Sequence, residues 1–275
     1  MIIRNGIVLL SVIFIVLLTY DNNQEALAYT FYADNFSIEG NLPIDAVDNF
    51  DDDTLTPWWQ VQDGTAIESN GVVSFQSPGD LMEPYVVGDY LILEERSAIS
   101  TIEPGQFGVT DGAGDFRASS KWNPVIPGEN QFFGIQMWSQ GDGTDEDISL
   151  NIVNFGLNLA DAIGTNPGLQ VSLFTDYGVQ FYQIDEEDVL GSIVLGMAFD
   201  DTNDIVFPYF SLDDGDNIQT PFDPVSTNLS DFYGAGWMLE SAELSVQPVP
   251  EPVTILLFGI GMAGLVGVNK KKFKK

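Results

Sequence analysis

The sequence has neither cysteine nor histidine among its 275 residues. The absence of cysteine excludes disulfides, so the fold must be stabilised by a packed core. The absence of histidine removes the most common general base, the most common transition-metal ligand and every His-dependent catalytic triad. A Gly-x-Ser-x-Gly elbow and a phosphate-binding loop are absent too. Together these absences predict a protein that is not an enzyme.

Cations are also scarce, with 9 Lys and Arg against 41 Asp and Glu and a net charge of −32. Between residues 29 and 248 only Arg96, Arg117 and Lys121 remain, and they face 38 carboxylates, so this part has a net charge of −35. Such a field repels nucleic acid and anionic lipid and attracts cations. Two explanations of this excess of acidic residues stay open. One is solubility or a saline habitat, and the other is a set of specific Ca²⁺ sites.

An apolar run occupies residues 253–268. Pro250 and Pro252 lack backbone donors and disfavour helix in the residue before each of them, so helix is expected only after them. Sixteen residues at about 1.5 Å each reach roughly 24 Å, enough for a thin bilayer, or for a normal one if flanking lysines snorkel. Five lysines follow and should hold that side in the cytoplasm. The predicted order is linker 247–252, transmembrane helix 253–268 and basic cytoplasmic tail 269–275.

Pro250, Glu251 and Pro252, the glycine-bearing apolar run and the lysine cluster follow one another in an order that resembles the PEP-CTERM sorting signal. The resemblance covers about a tenth of the chain. It implies that the three residues are the recognition motif of exosortase, a membrane protease-transpeptidase that processes exported bacterial proteins. The alternative is an ordinary tail anchor with a proline-rich hinge.

Residues 1–28 have the pattern of a secretory signal peptide. Arg4 is an early cation, residues 7–18 form a short apolar core, and Ala26 and Ala28 give a small-x-small cleavage site. The alternative is an uncleaved membrane anchor, for which the core is short. With signal peptidase and exosortase as partners, the protein is predicted to cross the cytoplasmic membrane, to be anchored there transiently, and then to reach the cell surface or the extracellular space.

Between these segments, residues 29–246 alternate short β-branched and aromatic runs with Gly, Pro, Asn and Asp. The strands that this pattern predicts are Tyr29–Phe36, Trp58–Val61, Val72–Gln76, Tyr90–Glu95, Phe116–Trp122, Phe132–Trp138, Ile148–Phe155, Leu169–Thr175, Val179–Ile184, Ile193–Phe199, Ile205–Leu212 and Trp237–Val246. Residues 157–163 are the best helical candidate, and Tyr177-Gly178 predicts a tight hairpin. Many short strands favour an all-β fold, a two-sheet antiparallel sandwich.

The stretch 48–52, Trp58-Trp59 and the Asn-Gly turn before a strand at residue 72 resemble the opening of concanavalin A-like jelly-roll domains. Residues 235–246 resemble the closing strand of such folds, which pairs with the opening one. The resemblance covers about a third of the domain and implies a fold only. Some folds of this type are glycosidases, whose Glu-x-Asp-x-(x)-Glu signature is absent here.

Period-two alternation puts Phe116, Ala118 and Trp122 on one face of their predicted strand and Arg117 and Lys121 on the other. The simplest interpretation of the two cations is cross-strand pairing with surplus carboxylates. The alternative is contact with a glycan or an anionic polymer. The candidate glycan contacts are Arg117, Lys121 and Trp138, with Tyr182 as a second stacking platform.

Two glycine-containing acidic loops are the candidate Ca²⁺ sites, because Ca²⁺ prefers six to eight oxygen ligands and glycine permits a tight wrap. The candidate ligands are Asp142, Asp145, Asp147, Asp213, Asp214 and Asp216. Neither loop has EF-hand spacing, and the alternative for each is a solvated acidic turn.

Three functions stay open from the sequence. The first is a structural or adhesive surface or matrix protein, stabilised by Ca²⁺. The second is a carbohydrate-binding module for exopolysaccharide, and the third, least favoured, is a glycan hydrolase.

Overall fold

The computed structural model describes residues 29–40, 46–76, 78–101, 114–139, 146–176, 178–227 and 235–249. Residues Ala28–Val246 form one compact unit. The predicted signal peptide and the apolar run 253–268 lie outside the described residues. Within those residues, no helix is long and apolar enough to cross a membrane.

The described residues form seventeen strands and one α-helix. The strands are β1 (Thr30–Gly40), β2 (Ala46–Asp48), β3 (Trp59–Asp63), β4 (Thr65–Ser69), β5 (Val72–Gln76), β6 (Asp80–Leu81), β7 (Tyr85–Val87), β8 (Tyr90–Thr101), β9 (Phe116–Trp122), β10 (Gln131–Ser139), β11 (Glu146–Phe155), β12 (Gly168–Thr175), β13 (Gly178–Gln183), β14 (Ile193–Asp200), β15 (Ile205–Ser211), β16 (Val225–Ser226) and β17 (Ala235–Pro248). Helix α1 is Leu157–Ile163, and a short 3-10 turn covers Glu186–Asp188.

The strands form two sheets whose assigned pairings are antiparallel. Sheet A has the order β16-β15-β14-β9-β1-β5-β4, with β2 also on β1. Sheet B has the order β13-β12-β11-β10-β17-β8-β3, with β6 and β7 also on β8. The predicted all-β, two-sheet antiparallel sandwich is therefore confirmed.

The predicted pairing of the closing strand with the opening strand is wrong. Strand β17 lies between β10 and β8 in sheet B, whereas the strands of the opening stretch are β3, whose neighbour in that sheet is β8, and β5, which lies in sheet A. Sequence pattern shows that a segment is a strand and which of its faces is apolar. It does not show the sheet that the strand joins, because that depends on contacts far apart in the chain.

The main core lies between the two sheets, as the alternation on β9 predicts. Phe116, Ala118 and Trp122 are buried, whereas Arg117 is exposed and Lys121 half-buried on the opposite face of the strand. Across the sandwich, the Trp122 ring packs against that of Phe133 on β10 at a centroid distance of 4.9 Å. Large aromatic side chains of this kind bury about 150–250 Å² each and contribute strongly to the stability of a core.

A second, smaller apolar cluster covers part of the outer face of sheet B. Helix α1 lies at the predicted position and buries Leu159 and Ala160 against Val153 and Phe155 of β11. The helix ends at Gly164, whose φ of 77° is the left-handed conformation that glycine adopts readily. The outer face of sheet B is therefore apolar and covered at one end, and the candidate site lies next to that end.

Candidate binding site on the outer face of sheet B

The sorting and cleavage residues predicted from the sequence lie outside the described residues. This applies to the Pro250, Glu251 and Pro252 motif, and to the cleavage-site residues Ala26 and Ala28. The structure therefore adds nothing to their assignment.

The three candidate glycan contacts do not share a surface. Arg117 and Lys121 lie on the outer face of sheet A, where Arg117 contacts Glu39 at 2.6 Å and Lys121 contacts Asp214 at 3.4 Å. Trp138 alternates with core residues of β10, so it lies on the outer face of sheet B, against Gly236. The alternative of cross-strand pairing is confirmed for Arg117, whose register partner on β1 is Glu39.

Tyr182, the second candidate stacking platform, belongs to neither outer face. Its register partner on β12 is the buried core residue Val171, and its ring packs against the buried Phe210 at 5.7 Å. The side chain therefore stacks on the edge of the core.

Most of the first acidic loop lies outside the described residues. Asp142 and Asp145 lie outside the described residues, and Asp147 is an exposed residue of β11. Among the described residues, no group of three or more His, Cys, Asp or Glu is arranged to hold a metal ion.

In the second loop, carboxylates accept hydrogen bonds from the protein itself. Asp213 accepts from the Ser211 hydroxyl at 2.6 Å and from the Asn217 amide at 2.9 Å, and these bonds lower its pKa. Hydrogen bonds from Ser192 lower the pKa of Asp214 in the same way. Asp213 and Asp214 therefore both accept hydrogen bonds from neighbouring protein groups.

The sheet B cavity is a pocket of about 220 Å³ on the outer face of sheet B, next to the smaller apolar cluster. Six strands, β7, β8, β10, β11, β12 and β17, contribute to its wall. Its lining residues are Tyr85, Glu94, Arg96, Phe132, Gln136, Ser149, Asn151, Val153, Phe155, Ser172, Phe174, Glu240 and Leu244. A wider and more open hollow on sheet A is lined by the Arg117–Glu39 ion pair and Phe207.

A row of four residues in register crosses the floor of the cavity. Ser172 lies opposite Asn151, Asn151 opposite Gly134, and Gly134 opposite Glu240. A Cβ atom at Gly134 would lie 1.9 Å from Asn151 Oδ1, so the amide side chain occupies the space that the glycine leaves. Glycine inside a strand is a recognised mark of such close approach.

Two polar atoms of this floor are buried without a hydrogen-bond partner among the described residues. They are Asn151 Oδ1 and Ser172 Oγ, in side chains that are 3% and 0% exposed. The other amide atom of Asn151, Nδ2, donates to Ser149 Oγ at 2.6 Å. Buried polar atoms without a partner are uncommon and costly, which makes them candidate contacts for a ligand or for ordered water.

One end of the cavity is charged. Arg96 donates from Nε and Nη2 to Asp63 Oδ2 at 2.9 and 2.7 Å, while its Nη1 lies 3.6 Å from Glu240 Oε2. Glu240 is only 4% exposed, and burial raises its pKa to about 7 although Arg96 acts in the opposite direction. Burial also raises the pKa of Glu94, again against Arg96.

Another part of the cavity wall is aromatic. Phe132, Phe155 and Phe174 line it, and Phe181 on β13 holds two of them edge-on, at 5.6 Å from Phe155 and 6.2 Å from Phe174. Tyr85 closes the rim and is 42% exposed. Aromatic faces beside polar groups suit a ligand with both C–H and hydroxyl surfaces.

Three features of the sequence correspond to this site, although the alternation of apolar and polar residues does not single them out. Gly134 interrupts an apolar strand, Glu240 directly follows the apolar residues 235–239 of β17, and Glu94 and Arg96 lie on one face of β8, two positions apart. A search for catalytic carboxylates along a single strand misses them, because the cavity takes its two glutamates from different strands.

Comparison with known proteins identifies one segment of the chain. Residues 248–272 match the PEP-CTERM protein-sorting motif. A search of the curated proteins found no match.

Solved structures similar to the chain have low sequence identity. The CBM2 module of the evolved Dit of Lactobacillus casei BL23 phage J-1 is 11% identical with a TM-score of 0.44, covering 78% of this chain and 95% of that one. Winged bean acidic lectin complexed with methyl-alpha-D-galactose is 10% identical with a TM-score of 0.39, covering 80% and 99%. SCLam, a non-specific endo-beta-1,3(4)-glucanase, is 9% identical with a TM-score of 0.40, covering 78% and 86%.

The motif match fits the order of proline, apolar run and lysines in the sequence. The chain therefore carries the PEP-CTERM sorting motif of proteins that exosortase processes, which are exported, anchored transiently in the membrane and then delivered to the cell surface or the extracellular space.

Proposed function

We propose that this chain is an exported surface or extracellular-matrix protein whose sandwich, of the concanavalin A-like jelly-roll type, binds a glycan in the sheet B cavity. The observation that carries the proposal is the floor of that cavity. This floor contains two buried polar atoms that have no partner among the described residues, and the same cavity has a carboxylate end and an aromatic wall. The sorting motif supplies the context, because a glycan-binding domain outside the cell meets exopolysaccharide.

The dimensions of the cavity favour a single sugar unit. Its volume of about 220 Å³ lies below the ~300–1,000 Å³ typical of pockets for drug-sized ligands. One ring of a polysaccharide, or its terminal unit, would place hydroxyls on Asn151, Ser172 and Gln136 and an apolar ring face on Phe132 or Phe174.

We propose binding without hydrolysis. A glycosidase needs a general acid and a second carboxylate on opposite sides of the scissile bond. Here Glu94 and Glu240 both lie near the guanidinium of Arg96, at one end of the cavity, and no further carboxylate is among the described residues that line it. Incubation with β-glucans and secreted polysaccharides should release no sugar, and product release would contradict this part.

Binding is tested with two substitutions in the cavity. We expect Ser172→Ala and Phe132→Ala to weaken binding to glycans selected on an array by about tenfold each, the factor for the loss of one hydrogen bond or one stacking contact. The matched controls, Ser119→Ala and Phe207→Ala on the outer face of sheet A, should leave the dissociation constant unchanged. An array without any signal, or equal losses on both faces, would overturn the proposal.

A calcium requirement stays a separate prediction. The net charge of −35 between residues 29 and 248 opposes compaction, and bound Ca²⁺ would relieve that repulsion. We therefore expect excess chelator, at moderate ionic strength, to lower the melting temperature. An unchanged melting temperature would contradict calcium stabilisation and leave the proposal on glycan binding intact.

A further inference from the structure

The charged end of the sheet B cavity contains more negative than positive charge. Asp63, Glu94 and Glu240 all lie near one guanidinium, that of Arg96. The other two cations of residues 29–248 lie on the outer face of sheet A, each in its own ion pair. This stretch of chain therefore has no further cation to balance the cavity.

Arg96 is already committed to one of these carboxylates. Two of its nitrogens donate to Asp63 at 2.9 and 2.7 Å, which is the short geometry of a charge-assisted pair. Its approach to Glu240 is longer, at 3.6 Å, and exceeds hydrogen-bond distance. The Glu240 carboxylate is therefore near the positive charge of Arg96 but does not accept a hydrogen bond from it.

The polar floor adds an acceptor beside this charged end. Asn151 Oδ1 has no hydrogen-bond partner among the described residues, and Asn151 Nδ2 donates a hydrogen bond to Ser149 Oγ. In their ionised forms, Glu94 and Glu240 can accept hydrogen bonds and cannot donate them. A ligand group that complements the charged end of the cavity must bring hydrogen-bond donors and positive charge.

An anionic sugar is the least suitable ligand for such a site. A uronate would place a third unbalanced carboxylate beside Glu94 and Glu240, in a domain whose net charge is already −35. A neutral sugar would leave the charge excess as it is. An ammonium group has three donors and no acceptor, and its charge compensates one carboxylate.

We propose that the sugar unit bound in the sheet B cavity carries a primary amine, so that the ligand is a hexosamine or a polysaccharide with unacetylated hexosamine units. The inference rests on the proposed glycan binding and assigns its chemical class. The ammonium group contacts Glu240 and Glu94, the ring hydroxyls contact Asn151 and Ser172, and the ring face lies on the aromatic wall.

Binding of an amine should depend on pH in a defined direction. The charged or titratable groups that face Glu240 are Arg96 and Glu94 on β8, Asp63 at the end of β3, Asp147 on β11 and Tyr85 on β7. Glu240 must lose its proton to pair with an ammonium ion, so affinity should rise from pH 5.5 to pH 7.2. An amine with a pKa near those of α-amino groups, about 8, is still mainly charged in that range.

The test compares three trisaccharides of matched size on the mature protein: glucosamine, N-acetylglucosamine and glucose oligomers. Isothermal titration at pH 7.2 should show the glucosamine trisaccharide binding about tenfold more tightly than the other two, the factor expected for one charge-assisted hydrogen bond. Glu240→Gln should remove this preference and its pH dependence. Glu39→Gln, which deletes the same charge on the outer face of sheet A, should leave both unchanged.

Each other outcome has a separate meaning. If the neutral trisaccharides bind, lose affinity in Ser172→Ala and match the amine, glycan binding stands and the amine assignment is wrong. If the amine binds equally well to Glu240→Gln and wild type, or no better than a lysine peptide of the same charge, its attraction is to the acidic surface in general and the inference is overturned. If no trisaccharide binds at any pH, both proposals fail.

Discussion

The protein is expected to melt at a higher temperature at pH 5 than at pH 8. Burial raises the pKa of Glu240 to about 7, from an ordinary value of 4.5. Burial also raises the pKa of Glu68 on β4, where the nearby carboxylates of Asp52 and Asp48 add to the effect. Both groups sit in the folded protein at positions that favour the protonated form.

A carboxyl group whose pKa is higher in the folded than in the unfolded protein stabilises the fold at pH values below its unfolded pKa. This stabilisation is lost as the pH rises to the folded pKa. For both glutamates the window lies between about pH 4.5 and pH 7, and the free energy of unfolding should fall across it. Glu240 alone contributes roughly 2–3 kcal/mol between pH 5 and pH 8. The carboxylates with lowered pKa, such as Asp213, are already ionised at pH 5 and do not offset this.

Differential scanning calorimetry at the two pH values measures the effect in wild type, Glu240→Gln and Glu68→Gln. Each substitution removes a group that must ionise in a buried position, so each variant should be more stable than wild type at pH 8 and should show a smaller pH difference. Glu187→Gln, in the exposed 3-10 turn, is the matched control and should behave as wild type. A wild-type protein that is more stable at pH 8 would show that these two carboxyls are ionised in the fold without cost.

Much of the fold follows from local pattern. The twelve predicted strands all occur, helix α1 begins and ends as predicted, and the turn at Asn70 and Gly71 joins β4 to β5 with φ values of 55° and 79°. These features depend on residues a few positions apart, such as an alternating apolar face or an Asn-Gly turn. Strand β4 itself escaped prediction, because its five residues, Thr65–Ser69, contain only two apolar side chains.

The sorting motif was also readable from the sequence, because it is a linear pattern of prolines, apolar residues and lysines. The sheet B cavity was not. Glu94 and Glu240 are 146 positions apart, and they share a pocket only because β17 is placed next to β8 in sheet B. Sequence pattern gives the face of each residue on its strand, but it does not show which residues of other strands become its neighbours.

Gly134 is the residue on which the geometry of the cavity depends most directly. A Cβ atom there would lie 1.9 Å from Asn151 Oδ1 and 2.4 Å from the backbone oxygen of Leu150. The amide side chain can rotate away, but the backbone oxygen belongs to the β10–β11 ladder and cannot move without disturbing it. We expect Gly134→Ala to lower the free energy of unfolding by about 1–3 kcal/mol, as overpacking does elsewhere, and to abolish glycan binding.

Gly196 on β14 provides the matched control, because it is also a strand glycine covered by a side chain. There a Cβ atom would meet only the far end of Tyr209, at 2.2 Å from the ring. That ring lies on the outer face of sheet A and can swing aside, so Gly196→Ala should cost less stability in urea denaturation and leave binding unchanged.

A double-mutant cycle with Asn151→Ala separates the two obstacles at Gly134. If the Asn151 side chain is the larger one, the loss in Gly134→Ala/Asn151→Ala should be clearly smaller than the sum of the single losses. If the Leu150 oxygen dominates, the two losses should add. A Gly134→Ala protein with wild-type stability and wild-type affinity would contradict the register of β10 with β11, and with it the cavity on which both binding proposals depend.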